Sequence, residues 1–456
     1  GTGIPACIIV IDKENTAKRK GIFMIDASRG YQKDGNKNRL REQDIRKIVD
    51  CFNGQIELDG YSRLVPYSEI EKKNEYNLNI SRYIIADDKE DLQDIEAHLK
   101  GGLPKRDIDE LQVYWSAFPS LRDQLFSDFD REGYCKLNVP DEDIRKVVFG
   151  NAEFEAYAKG VAKEFDRWKA NHHARFAALK KGDSPKQFLE VISSDILEQF
   201  SQLALLDKYD VFQQLMEYWE EVMQDDVYAV VYDGWEAGNE IVKEYATKKN
   251  KEGTVIRTDR VKSWEGRMIP KSLMIDVYFP EERDAIRRLE TERDEVLQQM
   301  EEIRSEHGGE DGLLSEVIVK EKITAKRLKE RIKEIQNSPD DMEELALLQQ
   351  YEKLQSNETT YNMAIKNAQT ALEQAVLEQY PALTLDEIRE LVIDKKWCDT
   401  LFDRVDTLFS MLSHHLAERI TILSERYATT LPELEAKVDE YEKKVESHLE
   451  RMGFKW

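Results

Sequence analysis

The chain has 456 residues, of which 41% are apolar, and a formal net charge of −24 at pH 7. This length and apolar content suit roughly two to four globular domains with real cores. The four cysteines are scattered and form no C-x-x-C pair, so they indicate neither a disulfide framework nor a zinc site and favour a reducing cytoplasm. No secretory signal is visible, and no apolar run approaches the ~20 residues of a membrane-spanning helix, so we expect no membrane partner.

The negative charge is unevenly distributed along the chain. Residues 1–105 hold 18 Lys or Arg against 18 Asp or Glu, so residues 106–456 hold the remaining 49 against 73. An acidic surface repels phosphate, which argues against this larger part wrapping nucleic acid by itself. Between residues 13 and 41, in contrast, nine basic side chains stand against three acidic ones. Phosphate contacts are predicted only there, and a solvated loop between strands is the competing interpretation.

Two continuous apolar runs, at residues 5–11 and 22–25, predict β-strands near the start of the chain. Runs of β-branched residues without alternation are typical of strands that are covered on both faces in α/β sheets. A two-stranded ribbon alone is marginal in water. We therefore expect these strands to be the end of a larger sheet whose other strands are encoded upstream.

A helix and a further extended segment follow the strands. Ile45, Ile48, Val49 and Phe52 recur at the spacing of one helical face, which predicts a helix. Apolar and polar residues alternate over residues 76–81, which predicts a short half-buried strand or an extended arm. Strand, loop, strand, loop and helix is the order of an α/β domain.

From about residue 106 the pattern becomes helical, with one predicted β interruption. Apolar residues at helical spacing predict helices within residues 111–125, 144–168, 187–206 and 211–223. Two apolar runs, at residues 227–232 and 273–279, predict a pair of strands. The polar residues 244–265 are predicted to form the loop between these strands.

Beyond Pro280 the apolar residues follow the heptad spacing of a coiled coil. The repeats lie within residues 286–303, 347–375 and 434–452. The last helix is predicted to begin after Thr430, because Thr430-Leu431-Pro432-Glu433 has the form of a capping box. About three heptads suit an antiparallel hairpin or bundle better than a long rod. The sequence leaves open whether such a bundle closes on itself or is completed by helices of a partner.

Four segments near the start carry a family resemblance. They are Thr2-Gly3-Ile4-Pro5-Ala6-Cys7-Ile8-Ile9-Val10, Gly21-Ile22-Phe23-Met24-Ile25-Asp26-Ala27-Ser28, Asp34-Gly35-Asn36-Lys37-Asn38-Arg39-Leu40 and Tyr76-Asn77-Leu78-Asn79-Ile80-Ser81-Arg82-Tyr83-Ile84. In this order they resemble the final part of the methyltransferase domain of the modification subunits of type I restriction-modification systems. Similarity to the longer members of that family continues over nearly the whole chain, to the terminal His448-Leu449-Glu450-Arg451-Met452-Gly453-Phe454.

The resemblance implies a fold class and a domain plan. We expect an α/β remnant of a Rossmann-like methyltransferase sheet at the amino terminus, followed by a mainly α-helical region with a coiled-coil-like helical tail. Residues 1–105 would be the carboxyl-terminal part of the methyltransferase domain, residues 106–280 a mainly helical middle domain, and residues 281–456 a helical subunit-docking domain. By the same resemblance, the tail meets helices of the specificity subunit.

The family transfers a methyl group from S-adenosylmethionine to the exocyclic amine of adenine in DNA, in a complex with specificity and restriction subunits. That reaction needs a glycine-rich turn after a strand for the cofactor and an Asn-Pro-Pro-(Phe/Tyr) pocket for the flipped adenine. The sequence contains no Asn-Pro-Pro, and Gly1-Thr2-Gly3 precedes a predicted strand instead of following one. We therefore assign no catalytic or cofactor residue, and expect this chain alone to be inactive and free of the cofactor that the parent subunit binds.

Lys33, Lys37, Arg39 and Arg41 are the predicted phosphate contacts, because the resemblance places this basic stretch near where the family admits DNA. Asn77, Asn79 and Arg82 also look characteristic of the family. The favoured interpretation of these three is that they fix an extended segment by hydrogen bonds to backbone.

Other polar clusters predict no metal site. The adjacent histidines at residues 172–173 and 414–415 would point about 100° apart on a helix, and the carboxylate pairs at residues 225–226 and 340–341 are expected by chance in so acidic a chain. A second hypothesis for the whole chain stays open. It could be a non-enzymatic, acidic helical scaffold or interaction protein whose short α/β start only stabilises a bundle.

Overall fold

The computed structural model describes residues 6–14, 16–84, 92–249, 255–309, 312–319 and 322–454. It is mostly helical with small sheets. Contacts between residues divide the chain into two compact units. Unit 1 contains Gly1–Leu179, Asp183–Tyr228 and Trp397–Trp456, and unit 2 contains Lys180–Gly182 and Ala229–Lys396. This division by contacts does not follow the domain boundaries at residues 105 and 280, which stay a prediction.

The strands are short apart from one pair. They are β1 (Gly21–Ile25), β2 (Gln32–Asp34), β3 (Lys37–Arg39), β4 (Ser62–Pro66), β5 (Leu103–Pro104), β6 (Phe126–Asp128), β7 (Tyr134–Leu137), β8 (Ile241–Lys249), β9 (Val255–Gly266), β10 (Ile318–Val319) and β11 (Lys322–Ile323). Every pairing among them is antiparallel, and β5, β7 and β6 form a three-stranded sheet. The Rossmann-like character of the start of the chain therefore stays a prediction.

The helices dominate the rest of the chain. They are α1 (Glu42–Gly54), α2 (Tyr67–Lys72), α3 (Ile95–Lys100), α4 (Lys105–Asp109), α5 (Gln112–Ala117), α6 (Pro119–Leu125), α7 (Ile144–Phe149), α8 (Ala152–Ala177), α9 (Pro185–Gln199), α10 (Lys208–Tyr218), α11 (Gln224–Asp233), α12 (Lys271–Tyr278), α13 (Pro280–His307), α14 (Ala325–Ile335), α15 (Met342–Gln379), α16 (Leu385–Arg389), α17 (Thr400–Tyr427) and α18 (Leu431–Arg451). Among the described residues, none of these helices has the length and apolar content to cross a membrane. The helices predicted between residues 42 and 223 are confirmed.

Of the two strands predicted at the start, one is confirmed and one is wrong. Residues 22–25 lie in β1, which pairs with β4 from Gly21 opposite Pro66 to Ile25 opposite Ser62. Residues 6–11 have no regular secondary structure, and Ile8 is 92% exposed. No strand in the described part of the chain lies beside this segment, and a lone strand cannot satisfy its backbone hydrogen-bonding groups.

The sequence predicts a short strand or an extended arm over residues 76–81, and the strand is wrong. Glu75 and Tyr76 have φ angles of 49° and 61°, so the chain turns sharply at the first of the alternating residues. Ile80–Arg82 then forms one turn of 3₁₀-helix. Tyr83 and Ile84 after this turn are buried with Met24 and Val65 in a small core beneath the β1–β4 pair.

The predicted β interruption is real but lies elsewhere in the sequence. Residues 227–232 belong to α11 and residues 273–278 to α12, whereas the predicted loop at 244–265 forms the β8–β9 pair. In α11, Val227, Val230 and Val231 are buried at helical spacing while Tyr232 is exposed. Burial on a helical face therefore overrides the β-propensity of this valine-rich run.

In the core of unit 1, buried residues of α17 pack with buried residues between positions 97 and 154. Phe154 and Phe409 stack with their ring centroids 4.6 Å apart. Leu121, Leu125 and Ile420 in the same cluster are completely buried. The carboxyl-terminal residues of the chain therefore complete the core that begins just after the small amino-terminal sheets.

In unit 2, α13 and α15 form an antiparallel helical pair. Val296 and Met300 of α13 pack in one cluster with Leu348 and Tyr351 of α15. Toward the other end of the pair, Gln369 of α15 donates a hydrogen bond to Glu290 of α13 over 3.4 Å. The heptads in residues 286–303 and 347–375 therefore form a helical hairpin within the chain, and the coiled-coil-like character of the tail as a whole stays a prediction.

Candidate nucleic-acid interface

The predicted phosphate contacts lie on a small β-hairpin and on the helix that follows it. In β2 and β3, Lys33 pairs with Asn38 and Asp34 pairs with Lys37 across a two-residue turn. Gly35 in this turn has a φ angle of +57°, which glycine adopts without steric cost. Every residue of the hairpin is exposed to solvent.

The hairpin brings two of the predicted residues onto one face and places a third on the other. Because side chains alternate along a strand, Lys37 and Arg39 share a face and Lys33 points to the opposite side. The Lys33 ammonium lies 5.6 Å from the centroid of the Tyr31 ring. The three cations are exposed, so a phosphate backbone could approach them without any rearrangement of the fold.

Arg41, the fourth predicted residue, has a different environment. Its Nε donates to Asp44 Oδ2 over 2.9 Å and its Nη2 to Asp44 Oδ1 over 3.0 Å, a bidentate ion pair. Hydrogen bonding to Asp44, with Asp210 and Glu217 also nearby, raises the pKa of the Arg41 guanidinium. Its charge is thus largely compensated by acidic neighbours, which supports a role in starting α1. Arg41 is therefore a weaker candidate for phosphate binding than the exposed cations of the hairpin.

The Arg41–Asp44 pair should stabilise the start of α1 in a pH-dependent way. Burial raises the pKa of the Asp44 carboxyl, but the hydrogen bonds from the side chain and backbone of Arg41 outweigh it and leave the pKa below the ordinary 3.8. A carboxyl with a lowered pKa stabilises the fold above its ordinary pKa and loses that contribution as the pH falls through the folded value. We expect Asp44→Asn to lower the free energy of unfolding by about 1.5–3 kcal/mol at neutral pH.

Urea denaturation of the chain and its variant measures this difference. The difference in free energy of unfolding between the wild type and Asp44→Asn should decrease below about pH 4, where the Asp44 carboxylate of the wild type becomes protonated. Glu42→Gln is the matched control, because Glu42 lies in the same first turn and is exposed. Equal stability of the wild type and Asp44→Asn at neutral pH would contradict the role given to this pair.

A polar cleft borders the start of the hairpin. It is lined by Tyr31, Gln32, Arg41, Gln43, Asp210, Gln213, Gln214, Glu217 and Leu408. Gln43 joins its two sides: its backbone N–H donates to Gln213 Oε1 and its Nε2 to Asp210 Oδ1, both over 2.9 Å. Burial raises the pKa of the Asp210 carboxyl. The cleft is acidic, so it holds α1 against α10 and does not suit a phosphate.

Sequence reasoning did not find these long-range partners of α1. Tyr209 also donates its hydroxyl to Asp50 Oδ2 over 3.2 Å. The residues of these pairs lie 159 to 170 positions apart, and no local pattern joins them. The local ion pairs of α1, Arg41–Asp44 and Arg46–Asp50, have the helical spacings of three and four residues that a sequence can reveal.

Asn77 has the structural role favoured for it from the sequence. Its Oδ1 accepts a hydrogen bond from the backbone N–H of Asn79 over 2.9 Å. Asn79 Oδ1 accepts instead from the Ser81 hydroxyl, over 3.2 Å. Tyr83 closes the segment by donating its hydroxyl to the Asn77 carbonyl. These side chains fix the turn before Tyr83.

Helix α1 exposes the apolar side of its surface. Ile45, Val49 and Phe52 are 42%, 44% and 47% exposed. Its polar side instead packs against α10, where the Lys47 ammonium lies 5.7 Å from the centroid of the Tyr209 ring. The described chain covers only about half of the surface of each of these three residues, whereas a surface helix ordinarily turns its apolar side toward the core.

Helix α18 has a second uncovered apolar stripe. None of its residues is buried. Its stripe consists of Leu431, Leu434, Val438, Tyr441 and Val445 and continues to Met452 directly after the helix; these residues are between 46% and 73% exposed. As the sequence predicts, Thr430 caps the helix in a capping box with Glu433. An isolated helix of this length is marginal in water, and the stripe leaves apolar surface available for packing.

In the described part of the chain, no group of His, Cys, Asp or Glu side chains is arranged to hold a metal ion. His172 lies instead in an aromatic core, with its Nε2 2.8 Å from Asp195 Oδ2. Asp226 accepts a hydrogen bond from Trp397 Nε1 over 2.9 Å. These two residues of the polar clusters therefore have structural partners.

Comparison with known proteins finds similarity in the part of the chain that contains β1–β4 and α1. The sequence model of the N-6 DNA methylase family matches residues 1–92. Residues 1–92 are therefore similar to this family, and this matched part is called the methylase region below. The hairpin, the Arg41–Asp44 pair and the exposed stripe of α1 all lie in this methylase region.

Curated relatives agree with this assignment over the same part of the chain. The methylase subunit of the type I restriction enzyme MjaVII of Methanocaldococcus jannaschii is 39% identical over 93 residues, which are 19% of this chain and 16% of the relative. The MpnII methylase subunit of Mycoplasma pneumoniae is 34% identical over 95 residues, or 21% of this chain and 17% of the relative. The MjaVIII methylase subunit of Methanocaldococcus jannaschii is 37% identical over 84 residues, or 18% of this chain and 14% of the relative.

The chain thus spans less than a fifth of the length of the relatives it matches. No solved structure matches it. The resemblance that the sequence analysis extends beyond the methylase region, over the helical units, stays a prediction.

Proposed function

We propose that this chain is the carboxyl-terminal portion of the adenine-specific DNA methyltransferase subunit of a type I restriction-modification system. In that role it helps to bind DNA and docks onto the specificity subunit, and the restriction subunit joins the same complex. The observation that carries the proposal is the match of residues 1–92 to N-6 DNA methylases and to the methylase subunits of type I restriction enzymes. The cytoplasm, where DNA and a reducing environment occur together, is the setting that fits this role.

The uncovered surface of the methylase region supports the same proposal. β1 pairs only with β4, so its other edge has no neighbouring strand in the described chain. The stripe of Ile45, Val49 and Phe52 lies on the helix that follows. An open strand edge and an uncovered apolar helix face are what the end of a larger α/β domain would present to its remaining layers.

The proposal assigns the helical units a docking role. α18 presents its apolar stripe without any core of its own to fill, as a helix does when it completes a bundle with a partner. The scaffold hypothesis has one observation in its favour, since the α13–α15 pair is a long helical hairpin of the kind that spaces other modules. The coding sequence upstream of the Gly1 codon separates the two hypotheses: a glycine-rich loop and an Asn-Pro-Pro motif support the methyltransferase, and a start codon close by supports the scaffold.

Cofactor binding gives a second test of the proposal. We expect the purified chain to show no saturable binding of S-adenosylmethionine in isothermal titration calorimetry, because it has neither a glycine-rich turn after a strand nor an Asn-Pro-Pro motif. A modification subunit that contains both motifs is the positive control and should bind the cofactor. Saturable heat with this chain alone would contradict the assignment of the cofactor site to the rest of the parent subunit.

A further inference from the structure

The β8–β9 pair is a long antiparallel ribbon that stands apart from the core of unit 2. Pairing runs from Ile241 opposite Gly266 to Lys249 opposite Val255, with two register shifts in which β9 has extra residues. Such bulges increase the twist of a ribbon. None of its described side chains, at residues 241–247 and 258–266, is buried. Neither face of the ribbon therefore covers a core.

The root of the ribbon is fixed to unit 2 by aromatic and hydrogen-bonding contacts. The rings of Trp264 and Tyr380 meet edge to face with centroids 5.9 Å apart. The Lys271 ammonium lies 3.8 Å from the centroid of the Trp264 ring. Tyr380 donates its hydroxyl to the Ile269 carbonyl over 2.7 Å. The ribbon is thus held firmly at one end and open to solvent along its length.

The charge of the ribbon is opposite to that of the unit that carries it. Residues 241–266 hold seven Lys or Arg against four Asp or Glu. The remaining residues of unit 2 hold 21 Lys or Arg against 32 Asp or Glu. Unit 2 is acidic as a whole, but the ribbon that extends from it is basic. The argument from net charge against nucleic-acid contacts therefore does not apply to the ribbon.

Two of the basic side chains are free to bind a ligand. Lys243 and Arg260 are exposed, and no ion pair within the described part of the chain includes either of them. Lys262, by comparison, donates to Glu244 Oε1 over 2.8 Å. Lys248 and Lys249 lie at the far end of β8 by the register of the pair. The uncompensated charge of the described ribbon therefore lies on Lys243 of β8 and Arg260 of β9.

We propose that the β8–β9 ribbon is a second DNA-binding element, which contacts the phosphates of double-stranded DNA through Lys243 and Arg260. A two-stranded ribbon fits the width of the major groove, and phosphate contacts from lysine and arginine supply binding without base specificity. The proposal rests on the proposed function, since it places a second contact on the DNA that the methyltransferase would modify. A protein partner is the rival occupant, which the experiment below distinguishes.

Fluorescence anisotropy of a labelled DNA duplex with the full chain, between about 50 and about 200 mM salt, tests the proposal. The variant Lys243→Gln/Arg260→Gln should bind about tenfold more weakly at the lower salt concentration. The slope of log affinity against log salt should fall by about two, one for each lost phosphate contact. Lys326→Gln/Lys329→Gln on α14 removes the same charge from exposed sites in the same unit and should change neither quantity.

An unchanged slope in the ribbon variant would overturn the proposal, and so would an equal loss in the α14 control. A ribbon variant that keeps its DNA affinity but no longer assembles with the specificity subunit would show that the ribbon binds protein instead. Failure of the proposed function would look different. In that case the wild-type chain would not assemble with a specificity subunit. A loss of DNA binding in the ribbon variant would even then support the ribbon as a DNA contact.

Discussion

Replacing Val438 and Val445 of α18 with serine should weaken association with the specificity subunit by about a hundredfold or more. Both side chains lie in the exposed apolar stripe of this helix, which buries no residue in the described chain. Burying a valine side chain stabilises an interface by about 1.5–3 kcal/mol, so the loss of two costs about 3 kcal/mol or more. Binding of the chain to the immobilised subunit, measured by biolayer interferometry, gives the change in affinity.

Asp439→Ser/Glu446→Ser is the matched control for this double variant. Asp439 and Glu446 each follow one of the two valines in the sequence and lie outside the apolar stripe. The control therefore introduces two serines at the same turns of the same helix. The control should bind about as well as the wild type. Both variants should keep the thermal unfolding of the wild type, because no core residue changes. Equal binding by the two variants would show that the stripe is not the docking surface.

The charges that flank the stripe indicate how a partner helix would lie. Glu435 and Glu442 follow one side of it, and Lys437, Lys444 and Arg451 follow the other. In a coiled coil these flanking positions meet the flanking positions of the partner, so that opposite charges set the pairing and orientation. A partner helix should therefore present basic residues along the glutamate side and acidic residues along the lysine side.

The elements that the sequence predicts correctly are those whose apolar spacing coincides with their burial. The α13–α15 hairpin is of this kind, since Val296, Met300 and Tyr351 fall on the predicted heptad positions and are buried. The strand predicted from Val227 to Tyr232 is wrong, because β-branched residues favour a strand although their burial follows the spacing of a helix. Most of the ribbon, residues 244–265, is predicted to be a loop for the opposite reason. None of its described side chains is buried, and no alternation of apolar and polar residues marks it as a pair of strands.

At the candidate site, the sequence located the basic segment but not the environment of each side chain. Counting charges treats Lys33, Lys37, Arg39 and Arg41 alike. The structure distinguishes three exposed cations on the hairpin from Arg41, whose charge is held by Asp44. That difference depends on which way each side chain projects from its element, and composition alone contains no such information.

This distinction leads to the second large effect that we expect. The triple variant Lys33→Gln/Lys37→Gln/Arg39→Gln should bind double-stranded DNA about a hundredfold more weakly at low salt, because it removes three exposed charges that are not held by the fold. The slope of log affinity against log salt should fall by about three. Arg41→Gln should instead lower the stability of α1 and change the DNA affinity little, since its guanidinium is already paired.

Lys136→Gln/Lys146→Gln/Lys159→Gln is the matched control, because it neutralises three exposed lysines of unit 1 far from the hairpin in sequence. If it lost as much affinity as the hairpin variant, general electrostatic attraction would explain the binding and no site would be needed. If Arg41→Gln lost as much affinity as the triple variant, the hairpin would not be the separate contact. A selective loss in the hairpin variant, with a matching loss of salt dependence, assigns the phosphate contacts to Lys33, Lys37 and Arg39, because only charges that meet phosphate release counterions when DNA binds.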